Sequence, residues 1–67
     1  MQSTLQLSQA IDFEQIAKQA GYHPYALRRL ARNDRNFPEH VATIGRTKIF
    51  DRRQIVRYFR KHKGIDL

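Results

Sequence analysis

Residues 13–30 read FEQIAKQAGYHPYALRRL, and their spacing decides the fold. Phe13, Ile16, Ala17 and Ala20 stand at i, i+3, i+4 and i+7, one apolar stripe of a helix. Gly21 offers the positive φ that ends a helix and turns the chain. Pro24 falls in the first turn of a second helix, where its missing N–H costs nothing, with His23 as an unusual cap and Tyr22 placed to staple onto Leu27. Leu27, Leu30 and Ala31 make the inner face of that second helix. Arg28, Arg29 and Arg32, interleaved with Tyr25, fall on its outer faces. Two helices that cross steeply through so short a turn need a small residue where they touch, which Ala17 supplies.

The rest of the chain is arranged around this pair. Asp12 caps the first helix, Gln15 completes a capping box and Ile11 staples onto Ile16. Residues 1–10 are polar, with Leu5 and Leu7 in no clear period, and are expected to form a loosely ordered lead-in. Asn33, Asp34, Asn36 and Pro38 end the second helix. Val41–Ile44 and Thr47–Phe50 around Gly45-Arg46 predict a hairpin that sets Val41 opposite Phe50 and Ala42 opposite Ile49. Apolar groups lie on both of its faces, so the inward face is open at this level. Asp51 as cap, Gln54 completing a box and Phe50 stapling onto Ile55 start a third helix. Its buried side is Ile55, Val56, Tyr58 and Phe59, and Arg52, Arg53, Arg57, Arg60, Lys61 and Lys63 cover the remainder. Gly64 stops it, leaving residues 64–67 as a tail. The expected fold is a single α+β domain over residues 11–63, ordered α-α-β-β-α.

A domain of 67 residues buries only about 60% of its unfolded surface, so its core is minimal and leaves no room for a deep catalytic cleft. With no cysteine there are neither disulfide staples nor thiolate zinc sites. No basic start followed by a long apolar run occurs, and no ~18-residue apolar stretch, so neither secretion nor a membrane span is expected.

Charge is the strongest compositional signal. The net charge is +7, but Lys18 against Asp12 and Glu14 leaves residues 1–27 at −1, while twelve Lys/Arg against Asp34, Glu39, Asp51 and Asp66 bring residues 28–67 to +8. A polycation on a nearly neutral half points to a polyanionic partner. Ile16, Ala17, Ala20, Gly21, Tyr22, Leu27 and Leu30 fit the helix-turn-helix pattern, and the arginines lie on its second helix where base-reading residues belong. Double-stranded DNA is the expected partner. Tyr25, Arg28 and Arg29 are the candidates for base contacts, and Arg32, Arg46, Lys48 and Arg52 for phosphate contacts.

FEQIAKQAGYHPYALRRL followed by NFPEHVATIGRTKIFDRRQIVRYF resembles the small winged helix-turn-helix proteins of the excisionase and AlpA-like group, within the MerR-like superfamily. The likeness covers residues 13–59: a helix-turn-helix, an FP-x-x-V segment, a glycine-bearing wing with an arginine, and a closing helix. It departs at His23 and Pro24, where that group often has Ser or Thr and a polar residue. The resemblance implies a recognition helix in the major groove and a wing on the backbone or minor groove. It also implies a role as a phage or mobile-element regulator or a recombination directionality factor, in the cytoplasm and associated with the nucleoid. Packaging of DNA is an alternative on the same fold.

Other classes find less in the sequence. His23, His40 and His62 are widely spaced and show no metal-ligand pattern, Asp12 and Asp51 are engaged as caps, and neither catalysis nor a cofactor is expected. Tyr25 and Tyr58 could stack on RNA bases, but tyrosines at helical spacing are more often core. A protein adaptor remains a further reading. Neighbouring copies on DNA are a potential partner, through contacts of Ile65 and Leu67 beyond Gly64.

Overall fold

The computed structural model describes residues 9–67. The first eight residues of the expected lead-in lie outside them. The elements run β1 (Ala10–Asp12), α1 (Phe13–Ala20), α2 (Pro24–Asn33), β2 (Ala42–Ile44), β3 (Thr47–Asp51) and α3 (Arg52–His62). They form an α+β domain whose three strands make one antiparallel sheet in the order β1-β3-β2.

The caps account for where each helix starts. Asp12 accepts from the Gln15 N–H at 2.9 Å and Gln15 Oε1 accepts from the Asp12 N–H at 3.0 Å, the reciprocal capping box. Gly21 has φ +77°, and the Tyr22 N–H closes on the Ala17 carbonyl at 2.9 Å, which ends α1. His23 does cap α2: its Nδ1 accepts from the Tyr25 N–H at 3.1 Å. The hairpin has the expected Ala42 opposite Ile49 and a turn at Gly45-Arg46, but β2 begins at Ala42, so the expected pairing of Val41 with Phe50 is not made. Instead the Val41 N–H donates to the Ile49 carbonyl at 2.8 Å, and β3 extends one residue further, to Asp51.

Three further expectations need correction. Among the described residues one element precedes α-α-β-β-α, because Ala10 belongs to a strand: Ala10, Ile11 and Asp12 pair with Asp51, Phe50 and Ile49. A three-residue strand carries no periodicity of its own, and its partner lies some forty residues away, so nothing local marks it. The expected box at α3 is replaced by a different arrangement. Asp51 accepts from the Arg53 N–H at 2.9 Å and also holds the Arg53 guanidinium through both carboxylate oxygens, at 3.1 and 2.9 Å. Finally, Ile65 and Leu67 are half-buried and pack against the chain's own core. The Ile65 N–H donates to the Phe59 carbonyl at 3.1 Å, and Arg60 pairs with Asp66 at 3.1 Å, so residues 64–67 fold back onto α3.

The core settles which face of the hairpin turns inward. Phe50 is buried opposite Ile11, and both join Ile16, Ala17, Leu27, Ile55 and Phe59. Phe37, in the loop after α2, is the plug: its ring meets those of Phe50, Tyr58 and Phe59 at centroid distances of 5.9, 5.1 and 6.3 Å. Each ring of this size removed from water adds roughly 1.5–3 kcal/mol, so Phe37 fixes the path of the loop between α2 and the sheet. β2, by contrast, is exposed along its length, and Ile44 is 70% exposed. The far end of the hairpin therefore stands clear of the core.

Candidate nucleic-acid interface

Because the hairpin projects past the core while α2 lies along it, a groove opens between them. It encloses about 730 Å³ and is walled by α2, the start of α1, the loop over residues 37–40 and the hairpin. Arg28 and Arg32 reach it from α2, spaced four residues apart and so on one helix face. Arg46 and Lys48 reach it from the hairpin, two residues apart in sequence. Four of the seven side chains singled out in the sequence thus meet in one concavity. None of the four is engaged in an ion pair among the described residues.

The groove also holds three carboxylates that the sequence did not single out for it: Asp12, Glu14 and Glu39. The charges are segregated by element. Cations come from α2 and the hairpin, carboxylates from the start of α1 and the 37–40 loop. A polyanion is therefore drawn to the α2 and hairpin side and repelled from the opposite wall, which gives the groove a direction. Asp12 is already committed to the α1 cap. Glu39 could have been suspected from its place beside the Phe37-Pro38 plug, but nothing in the local sequence shows that this loop faces Arg46.

The other three candidates lie elsewhere. Tyr25 is 60% exposed on the first turn of α2, a free aromatic surface outside the groove lining. Arg29 is exposed on α2 but turned away from the groove lining. Arg52 is half-buried and its Nη1 donates to Gln19 Oε1 at 3.3 Å, tying the start of α3 to α1. It is not brought to the groove.

Tyr58 and Asp34 join α3 to the end of α2, next to the loop that carries Phe37. The buried Tyr58 hydroxyl donates to Asp34 Oδ2, and the Asn36 N–H donates to Asp34 Oδ1 at 2.9 Å. The Tyr58 hydroxyl and then the Asn36 N–H hold the Asp34 carboxyl below the usual aspartate range, while burial, followed by Asp34 itself, pushes the Tyr58 phenol well up. Asp51 is likewise held low, first by the Arg53 guanidinium. Among the described residues no three His, Cys, Asp or Glu side chains are grouped as a metal site requires, and no helix is long and apolar enough to cross a membrane.

Against protein-family models, curated proteins and solved structures, the chain finds no match.

Proposed function

We propose that this chain is a double-stranded DNA-binding module of the winged helix-turn-helix kind, with α2 as its recognition helix and the β2–β3 hairpin as its wing. The observation that supports this most is the groove in which Arg28 and Arg32 of α2 face Arg46 and Lys48 of the hairpin. A duplex offers one negative charge per ~1.7 Å of axis, so a helix seated in the major groove brings a flanking phosphate strand to whatever stands beside it. Here the hairpin stands beside it, carrying two cations, Arg46 and Lys48, that make no ion pair among the described residues.

Within this reading Tyr25, Arg28 and Arg29 face base edges. An arginine there donates two hydrogen bonds to guanine O6 and N7, and the Tyr25 ring gives apolar contact. Arg32, Arg46 and Lys48 hold phosphates, and Arg52 does so only by exchanging its Gln19 partner for one. The proposed work of such a module, as a phage or mobile-element transcriptional regulator or an excisionase in the cytoplasm of a prokaryotic cell or phage-infected host, rests on the resemblance of residues 13–59 to that group. Selection of bound sequences from a random duplex pool tests the reading. A recurrent motif a few base pairs long is the expected result, and a pool that emerges unchanged contradicts base recognition.

A further inference from the structure

The 37–40 loop has a second side. Pro38 lines the groove on one flank and, on the other, a smaller cleft of about 370 Å³ against the outer face of α3. Arg57 and Lys61 stand there one helical turn apart, with Gln54, His62 and Asn36 beside them. In contrast to the first groove, no carboxylate lines this cleft. The chain has also sorted the cations of α3 by use. Arg53 is held by Asp51 and Arg60 by Asp66, whereas Arg57 and Lys61 are exposed and make no ion pair among the described residues. Two acids close to this face already have partners: Asp51, whose carboxyl feels Arg57, is bound by Arg53, and Asp34, which feels Lys63 and His62, is bound by Tyr58.

We propose that this face of α3 is a second phosphate-backbone site, and that it holds a second duplex segment while the α2 and hairpin groove holds the first. The proposal rests on the DNA-binding reading above. Cations repeated at a ~5.4 Å helical pitch, with the amide side chains of Gln54 and Asn36 alongside and Pro38 and Tyr58 as the apolar floor between them, suit a run of phosphates along one strand. The intervening loop, pinned by Phe37, keeps the two clefts from merging into one trough. A single copy measuring 35 × 23 × 21 Å would then bring two duplexes within energy-transfer distance of each other.

The test uses the full chain and two short duplexes, one carrying a donor dye and one an acceptor, together with anisotropy on a single duplex. Wild type is expected to give energy transfer between the duplexes at protein concentrations near equivalence. The Arg57→Gln/Lys61→Gln double variant is expected to lose the transfer while its single-duplex Kd stays within about threefold, as loss of outlying charges allows. A control that removes two charges lining neither cleft, Lys18→Gln/Arg35→Gln, is expected to keep it. Equal loss in the control means that net charge alone gathers the duplexes and overturns the proposal. A double variant that binds a single duplex tenfold or more weakly places α3 on the same duplex and overturns it as well. Wild type that binds one duplex normally but never gives transfer, or gives it only when an acidic protein is added, overturns this inference and leaves the DNA-binding reading standing. Absence of single-duplex binding removes both.

Discussion

The Tyr58 hydroxyl donates a 2.5 Å hydrogen bond to Asp34 Oδ2 across 24 residues of chain, joining the end of α2 to the middle of α3. The bond fixes the loop that separates the two clefts, because the same carboxylate also accepts from the Asn36 N–H just before the Phe37 plug. Its partners hold the Asp34 carboxyl low, and Arg53 does the same for Asp51. A carboxylate whose folded pKa is depressed contributes its full stability above the ordinary aspartate value of about 3.9, and that stability is lost as pH falls through the lower folded value. The melting temperature is therefore expected to fall as pH drops below about 4. Asp34→Asn is expected to lower the melting temperature above about pH 4 and to make the acid limb shallower. An acid limb identical to wild type would show that Asp34 is not coupled to folding.

Ala17 is 2% exposed on the buried side of α1, where a small residue is expected against α2. Ala17→Leu forces three further carbon atoms into that contact and is expected to cost about 1–3 kcal/mol by denaturant titration. An unchanged midpoint would mean that the helices meet elsewhere.

Removing Ile65, Asp66 and Leu67 strips two half-buried apolar side chains from the core and breaks the Arg60–Asp66 pair. The exposed pair matters little. The apolar loss is expected to cost roughly 1–3 kcal/mol and to leave binding to a single duplex intact at temperatures where the variant is folded. Loss of cooperativity between neighbouring copies with full thermal stability would instead assign these residues to contacts between molecules.

Arg28→Ala or Arg29→Ala is expected to cost about 1–3 kcal/mol on a selected site and to broaden base preference, since both side chains are exposed on the proposed recognition helix. Arg46→Ala is expected to weaken every sequence alike. Binding-site selection with each variant separates the two, and matching specificity profiles would contradict the division.

The elements that were legible in the sequence are those whose cause is local. The start of α1 is set by Asp12 and Gln15 three residues apart, its end by Gly21, and the hairpin by Gly45-Arg46 between β-branched runs. What was not legible depends on long-range meetings. β1 exists because Ile11 finds Phe50, and three residues show no period. The Asp51 carboxylate takes the Arg53 guanidinium instead of sharing a box with Gln54, a competition between two nearby partners that motif spacing does not rank. The site was legible in part for the same reason. Arg28 and Arg32 share a face by helical spacing alone, but that Arg46 and Lys48 stand across from them, with Glu39 on another wall, depends on how Phe37 folds the loop.

The central claim is that free cations on α2 and the hairpin grip the DNA backbone, and the salt dependence of binding tests it most directly. In an anisotropy titration of a short duplex at several salt concentrations, four to six neutralised phosphates are expected to give a slope of log affinity against log salt of about −4 to −5. Arg46→Ala should reduce that slope by about one. A wild-type slope near zero would contradict the account.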